Sequence, residues 1–272
     1  MPTIPSEPVR PGSLEIHRQR QVAESFGAEA ERYDRARPSY PAALVDRIAA
    51  VSPGGDVLDV GCGTGIAARL FQAAGCRVLG VDPDDRMASV ARQAGLTVEV
   101  APFEAWDSAG RSFDAVIAAQ AWHWVDPVAG AAKAAQVLQP GGRLAVFWNA
   151  AQPPADLAAA FADVYRSVQP GLPFAPLARP AIEAYQIMCG RAADGVRQAG
   201  DAFSEPEQWR FDWDHRYARE QWLEQVPTHG GHTQLDPAKL KELLAGMGAA
   251  IDDLGGGFTM NYATVVVTAA RA

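Results

Sequence analysis

The chain has 272 residues, 48% of them hydrophobic, which is enough to bury a sizeable core in one domain or in one domain with a lid. Its formal net charge is -8 and the sequence contains no basic patch, which argues against a nucleic-acid partner. Residues 1–11 lack an apolar signal core, and no later run approaches the length of a membrane span. These features predict a soluble, cytoplasmic protein without a membrane partner.

Residues 1–41 are predicted to form an N-terminal tail and a helical cap. The cap helix covers residues 14–35 and ends before the proline-containing run at residues 37–41. A second helix is predicted over residues 42–51, and the turn composition of residues 52–55 leads into the first strand. The core of the fold is therefore expected to begin here.

A glycine-rich turn follows the first apolar strand, in the run Val57-Leu58-Asp59-Val60-Gly61-Cys62-Gly63-Thr64-Gly65. Its glycines permit positive φ and leave backbone amides bare at the start of a helix, which is the arrangement that holds nucleotides. Asp59 ends a buried strand, where a carboxylate is unfavourable unless it accepts hydrogen bonds from the turn or contacts a cationic ligand. We expect both.

The second strand, residues 77–81, ends in Asp82, which is placed to accept both hydroxyls of an adenosine ribose. Asp82 has a second interpretation, since Asp is a favoured N-cap and a helix begins after Pro83. Residues 63–68 also fit the dinucleotide pattern G-x-G-x-x-A, which keeps a nicotinamide-dependent oxidoreductase open as an alternative.

Alternating strands and helices continue toward the middle of the chain. Strands are predicted at residues 96–101, 113–119 and 143–149, with helices at residues 84–94 and 129–138 between them. This alternation predicts a parallel α/β sheet.

The last 123 residues are divided by proline content and by a return of strand patterning. Residues 150–210 carry seven prolines among helical stretches such as residues 157–168, and we interpret them as an inserted lid. The C-terminal part of the core, residues 211–272, is predicted to contain two strands and two helices: strands 211–217 and 259–267, and helices 219–225 and 237–247.

The combined motifs resemble the class I S-adenosylmethionine-dependent methyltransferases. The resemblance rests on V-L-D-V-G-C-G-T-G, the Asp82 strand end, F-D-A-V-I and V-L-Q-P-G-G-R-L-A-V. It covers residues 26–149 and extends more thinly to the C-terminus. Within the class, Ala119-Gln120-Ala121-Trp122-His123-Trp124 is similar to the small-molecule branch that includes trans-aconitate methyltransferases. The family implies a Rossmann-like, seven-stranded, mostly parallel sheet with helices on both faces and an antiparallel last strand.

The resemblance implies S-adenosylmethionine as the cofactor, bound across the carboxyl ends of the first four strands within residues 42–149. Arg37 is expected to pair with the cofactor's carboxylate, and Phe103 and Glu104 to contact adenine. With the residues of the glycine turn, the predicted cofactor contacts are Tyr33, Arg37, Tyr40, Asp59, Gly61, Gly63, Thr64, Gly65, Asp82, Pro83, Met87, Phe103, Glu104, Ala119, Gln120 and Ala121.

Two histidines are the predicted catalytic residues. His123 follows the fourth strand, where the methyl group and the acceptor should meet, and His229 lies in a glycine-containing loop after the sixth strand. Trp122, Trp124 and His232 are predicted substrate contacts. The alternatives are that the histidines make only structural hydrogen bonds and that the tryptophans pack in the core.

No metal site is predicted. The H-x-x-H pair of His229 and His232 lacks a cysteine or carboxylate at ligand spacing. The three cysteines, at positions 62, 76 and 189, form no metal-binding pair and no disulfide framework, so we expect them to be reduced.

The predicted function is transfer of a methyl group to a small-molecule acceptor, at the oxygen of a hydroxyl or a carboxylate. A base is needed only for an acceptor that is protonated at the working pH. The chain is expected to be a monomer or a homodimer. A catalytically silent cofactor-binding protein remains an alternative, besides the oxidoreductase.

Overall fold

A computed structural model describes residues 26–168 and 181–272. Its centre is a seven-stranded sheet in the order β3-β2-β1-β4-β5-β7-β6, in which only β7 runs antiparallel to its neighbours. This confirms the predicted fold class. The strands are β1 (Asp56–Val60), β2 (Arg77–Asp82), β3 (Thr97–Val100), β4 (Phe113–Ala119), β5 (Leu138–Gln152), β6 (Glu207–Ala218) and β7 (Gly257–Ala270).

Helices join the strands and cover both faces of the sheet. Those in the described part of the chain are α1 (Ala30–Ala36), α2 (Ala42–Val51), α3 (Ile66–Ala73), α4 (Asp85–Gln93), α5 (Pro127–Val137), α6 (Ala155–Val168), α7 (Ala181–Gln198), α8 (Arg219–Gln225) and α9 (Pro237–Asp252). None of these helices is long and apolar enough to cross a membrane.

Alternate residues of each buried strand face opposite layers of helices. On one face Ile117 and Phe147 pack with apolar side chains of α2, α3 and α4. On the other face Val146 and Trp148 pack with α5 and α7. The period of two along a strand therefore divides the core into two apolar clusters, one on each side.

A third apolar cluster, which we call the upper cluster, surrounds the part of the paired strands β6 and β7 that extends beyond the end of β5. The last β5–β7 pair is Gln152 with Asn261, whereas β6 and β7 remain paired to Ala218 and Gly257. Helices α6, α8 and α9 pack on this extension. Its buried side chains are Leu157, Phe161, Tyr165, Tyr217, Trp222, Val226, Leu243, Met247, Ile251, Phe258, Met260 and Tyr262.

The interval 150–210 differs from the continuous lid that its prolines predict. Strand β5 extends to Gln152 and β6 begins at Glu207, because both ends continue a ladder with β7. Helix α7 buries Cys189, Ala192 and Val196 in the same cluster as Trp148, so it is a layer of the core. Residues 1–25 and 169–180 of the predicted tail, cap helix and lid lie outside the described residues.

Candidate active site

The glycine turn brings β1, β2 and the end of β4 close together. The Gly61 amide donates to the Val81 carbonyl at 2.8 Å, and Gly61 has a φ of +64°. A Cβ atom on Gly61 would lie 2.5 Å from the Cβ of Ala121, so only glycine allows this approach. Gly65 has a φ of +86° and begins α3 without a side-chain cap. The first amides of α3 therefore need partners from outside the helix.

Asp82 holds the turn against the next helix. Its two carboxylate oxygens accept from the amides of Gly63, at 2.8 Å, and Asp84, at 2.9 Å. The N-cap of α4 is Asp84, which accepts from the Arg86 amide, so Asp82 does not serve as that cap. Burial raises the pKa of Asp82 to about 6 even though both amides favour its charged form.

Asp59 is fully buried, and neither of its carboxylate oxygens has a hydrogen-bond partner among the described residues. The expectation that the turn amides would satisfy it is therefore wrong. Burial, reinforced by the charge of Asp82, raises its pKa to about 8; the nearby Ala68 amide opposes this rise without reaching hydrogen-bonding geometry. The Thr64 hydroxyl in the glycine turn is also buried without a partner in the described chain. Asp59 is suited to a ligand group that brings a positive charge or a donor, and Thr64 to one that brings a hydrogen-bond partner.

Two further predicted cofactor contacts, Met87 in α4 and Pro83 just before it, differ in exposure. Met87 is buried, and its Cε would lie 3.4 Å from a Cβ on Gly63, so it closes one side of the turn. Pro83 is exposed.

Gln120, directly after β4, has a strained conformation with a φ of +55°. Its amide donates to the Phe147 carbonyl at 2.9 Å, which holds the backbone in place between Ala119 and Ala121. The side-chain amide reaches the Asn149 carbonyl at 3.4 Å. The strain lies at the carboxyl edge of the sheet, beside the glycine turn.

Two of the predicted contacts near β3 and β4 have structural partners. Phe103 is 4% exposed and packs on Trp122, with ring centroids 6.2 Å apart. Glu104 accepts from the Asp126 amide at 3.0 Å. Trp122 itself is 2% exposed and packs in the core. Trp124 is half-buried and packs edge-on against Phe26, with ring centroids 6.4 Å apart.

His123 lies at the carboxyl edge with one ring nitrogen already engaged. The Trp148 indole donates to its Nδ1 at 3.2 Å, which places the proton of the neutral ring on Nε2. Burial lowers its pKa to about 4. In this arrangement His123 presents a hydrogen-bond donor and has no free lone pair to accept a proton.

Helix α1 is tied to the cofactor side and to the upper cluster. Asp34 pairs with Arg69 at 2.7 Å, and Arg69 also donates to the Thr64 carbonyl in the glycine turn. On the other side, Arg35 pairs with Glu224 of α8 at 3.1 Å. These contacts hold the cap residues across the edge of the sheet.

Tyr33, Arg37 and Tyr40 follow along this cap. Arg37 donates through Nη2 to the Thr228 carbonyl, and its guanidinium lies 4.8 Å from the centroid of the Tyr33 ring. The Nε of Arg37 is buried without a partner among the described residues. Tyr40 packs edge-on against Phe147 at 5.0 Å. All three are therefore close to the carboxyl edge.

His229 and His232 occupy the turns after α8 with different roles. His232 is buried, donates from Nδ1 to the Val226 carbonyl at 2.6 Å and accepts from the Tyr165 hydroxyl at 3.2 Å. Both ring nitrogens are engaged, which makes His232 structural. His229 is half-buried, and its Nε2 accepts from the Gln225 amide at 3.3 Å. Burial and the Arg37 charge lower the pKa of both rings. Within residues 26–168 and 181–272 no metal-binding group of side chains occurs.

The sequence analysis missed several polar residues that line this region. The hydroxyls of Tyr217 and Tyr262 are 2.8 Å apart, and both residues are buried. The Asn149 side chain donates to the Ser39 carbonyl and accepts from Thr264. The available signal was the aromatic and polar alternation of β6 and β7, which predicts strands without indicating which residues meet.

Comparisons with known proteins agree with this geometry. Residues 58–146 match the model of a methyltransferase domain. An uncharacterized methyltransferase of Mycobacterium tuberculosis is 40% identical over 137 residues, which cover 48% of this chain and 54% of that protein. A demethylmenaquinone methyltransferase of Tropheryma whipplei is 31% identical over 46% of this chain and 58% of that protein. The chain thus spans about half the length of the curated relatives it matches.

A candidate type II methyltransferase structure from Anaeromyxobacter dehalogenans is similar over more of the chain. It covers 85% of this chain and 97% of that one, with a TM-score of 0.61 and 25% identity. A phosphoethanolamine N-methyltransferase of Haemonchus contortus shares the fold at 15% identity, covering 97% of this chain and 62% of that one, with a TM-score of 0.52. With its glycine turn, its sheet order and these matches, the chain is similar to methyltransferases: residues 58–146 match a methyltransferase domain, and they lie in a Rossmann-like seven-stranded fold.

Proposed function

We propose that the protein binds S-adenosylmethionine at the glycine turn and transfers its methyl group to a small-molecule acceptor, at the oxygen of a hydroxyl or a carboxylate. The observation that carries this proposal is Asp59, a buried carboxylate without a hydrogen-bond partner in the described chain, in β1 directly before the glycine turn. Such a group is unfavourable in the free protein and becomes favourable next to a cation.

The surrounding residues fit the cofactor in three chemical respects. Asp59 and Thr64 suit its cationic portion, and Asp82 retains acceptor capacity on oxygens that already hold the turn. Gly61 lacks the Cβ that would clash with Ala121, so the turn and the end of β4 stay close together. When bound, the cofactor supplies a methyl group that is already activated on a sulfonium, so the protein's main task is to position the acceptor and exclude water.

Titration calorimetry tests the cofactor assignment. We expect S-adenosylhomocysteine to bind, and NAD to give no heat above dilution. Binding of NAD alone would support a nicotinamide-dependent enzyme, because the glycine turn by itself is compatible with either ligand. Binding without methyl transfer to any compound in a broad metabolite panel would indicate a catalytically silent protein.

In both histidines the unprotonated ring nitrogen accepts a hydrogen bond, from the Gln225 side chain in His229 and from the Trp148 indole in His123. We take His229 as the candidate base to test, and it can accept a proton only when Gln225 releases its Nε2. With a hydroxyl acceptor, His229→Gln should lower kcat by about 10²-fold to 10⁴-fold and leave S-adenosylhomocysteine affinity unchanged. With a carboxylate acceptor the same change should act mainly through KM.

A matched control is His215→Gln, which changes an exposed histidine of β6. It should leave both kinetic constants unchanged. Undiminished kcat of His229→Gln with a hydroxyl acceptor would exclude His229 as the base.

A further inference from the structure

The cap is attached to the carboxyl edge of the sheet at two places, one on each side of the end of β4. Strands β1, β4 and β5 are neighbours in that order. On the β1 side, Asp34 of α1 pairs with Arg69 at 2.7 Å, and Arg69 donates to the Thr64 carbonyl of the glycine turn at 2.8 Å. On the β5 side, the Asn149 side chain donates to the Ser39 carbonyl at 3.0 Å. The cap therefore crosses the edge beside the glycine turn.

The part of the cap that Asn149 holds is a stiff, extended segment. Pro38 and Pro41 flank Ser39 and Tyr40, and each proline fixes its own φ and lacks an N–H. The residue before a proline is also kept extended, and Arg37 has a ψ of 142°. A segment with so little conformational freedom loses little entropy when it is held in place. One hydrogen bond at its middle residue can therefore fix its position.

Two residues of the edge strands determine the direction of the Asn149 amide. The Trp213 indole donates to the Thr264 hydroxyl at 2.9 Å, and an indole N–H can only donate. The Thr264 hydroxyl therefore turns its own hydrogen toward Asn149 Oδ1, which lies 2.6 Å away. With Oδ1 facing Thr264, Nδ2 faces the Ser39 carbonyl, which can only accept. We call these four residues, Trp213, Thr264, Asn149 and Ser39, the Asn149 relay.

The centre of the Asn149 relay is shielded from solvent. Asn149 is 3% exposed and Thr264 is fully buried, so a lost hydrogen bond there leaves a polar group unsatisfied. The backbone carbonyl of Asn149 also accepts from the Gln120 side chain at 3.4 Å. Asn149 thus contacts both the cap and the strained residue that follows β4.

The Asn149 relay is not required for the pairing of β5 with β7. Asn149 lies opposite Thr264 inside an antiparallel ladder that runs from Arg143 to Gln152 on β5. Backbone hydrogen bonds on both sides of this pair hold the register of the two strands. What the side chain of Asn149 adds is the bond to the cap.

From this arrangement we infer that Asn149 is a positioning residue, which holds the cap over the carboxyl edge for cofactor binding. Thr264 and Trp213 keep its amide in the direction that this requires. Asn149 acts through Ser39 and need not touch the cofactor itself. The inference rests on the proposed function, in which residues of the cap contact S-adenosylmethionine. Strands β6 and β7, far from the glycine turn in sequence, thereby contribute to cofactor affinity.

The test is a calorimetric titration of the full chain and its variants with S-adenosylhomocysteine. Asn149→Leu and Thr264→Val each replace a polar side chain with an apolar one of similar shape. We expect Asn149→Leu to weaken binding by roughly 10-fold to 30-fold and Thr264→Val by roughly 3-fold to 10-fold, the range for leaving buried polar partners unsatisfied. Thr264→Ser keeps the hydroxyl and should stay within about 2-fold of the wild-type affinity. The two disruptive changes lie on different strands, so either variant that folds is sufficient.

Thr268→Val is the matched control. Thr268 is buried on the same strand as Thr264, but its hydroxyl has no partner among the described residues, so its loss should leave the affinity unchanged. Hydrogen exchange supplies the readout of cap position. In Asn149→Leu and Thr264→Val the amides of residues 30–41 should exchange faster than in the wild-type protein, while those of α5 stay unchanged. A purely structural role would not confine the change to the cap.

Three results would overturn the inference. The first is S-adenosylhomocysteine affinity within about 2-fold of wild type in both Asn149→Leu and Thr264→Val. The second is an equal loss of affinity in Thr264→Ser and Thr264→Val, and the third is a loss of affinity with unchanged exchange in the cap. Failure of the wild-type protein to bind S-adenosylhomocysteine would instead refute the proposed function.

Discussion

The glycine turn and Arg37 lie at the same edge of the sheet, and each has a buried polar atom without a hydrogen-bond partner in the described part of the chain. The turn combines positive φ angles with two buried carboxyl groups, Asp59 and Asp82. Arg37 donates to the Thr228 carbonyl and lies over the Tyr33 ring. The comparison teaches that unusual backbone angles and unfavourable buried carboxyl groups coincide in the turn, whereas Arg37 lies against an aromatic ring and a backbone carbonyl. Changes to the turn should therefore affect folding and binding together.

The largest expected effect is that of Gly61→Ala. The new Cβ combines a positive φ with a 2.5 Å approach to Ala121, so we expect a loss of about 2 to 5 kcal/mol in the free energy of unfolding. Chemical denaturation measures it. Gly75→Ala is the matched control, since Gly75 has a φ of +89° and open space around it. It should lose about 1 to 2 kcal/mol. Equal losses in the two variants would show that close approach to Ala121 is unimportant.

Asp82→Ala should weaken S-adenosylhomocysteine binding by roughly 1.5 to 3 kcal/mol, because it removes charged acceptors from the turn and from the ligand. Calorimetry measures the affinity. The control, Asp84→Ala, removes the N-cap of α4 and should mainly lower stability, by about 1 kcal/mol. If the Asp82 variant folds with undiminished affinity, Asp82 only shapes the protein.

Asp59→Asn should separate binding from stability. In the folded protein the pKa of Asp59 is about 8, above its ordinary value of 3.8, so the folded state holds a proton that the unfolded state has released. Stability from this group is complete below about pH 4 and is lost as the pH rises toward about 8. Asp59→Asn should flatten that decline in melting temperature while weakening cofactor binding.

A melting temperature that falls equally with pH in the wild-type protein and in Asp59→Asn would contradict the assignment. So would unchanged affinity for the sulfonium cofactor. The melting temperature and the cofactor affinity are both measured without an acceptor.

The smallest expected effect belongs to the upper cluster. Tyr217→Phe removes one neutral hydrogen bond to Tyr262 and should lower the free energy of unfolding by about 0.5 to 1.5 kcal/mol, without changing cofactor affinity. Tyr262→Phe removes the same bond from its other side. The double variant should therefore lose less than the sum of the single losses. Strict additivity would mean that the two hydroxyls do not interact in solution.

Sequence reasoning was most successful where the determining contacts are local. The bounds of α2, β4 and α8 agree with the patterns that predict them, and the glycine turn follows β1 as its composition indicates. The sequence correctly places Asp82 at the end of β2. The N-cap of α4 is Asp84, because the helix begins at Asp85, three residues after the strand ends. A one-residue cap position depends on backbone angles that side-chain patterning does not encode.

The sequence alone determined the fold class and the position of the glycine turn, because apolar periodicity and glycine placement act within a few residues of chain. The tertiary structure decided which polar groups were left without partners. Asp59 lost its expected turn amides, and Trp122 became part of the core. Arg37 meets the Thr228 carbonyl only because the cap and the turn after α8 converge at one edge of the sheet. Such contacts join residues far apart in the chain, and their register follows from packing that no local pattern specifies.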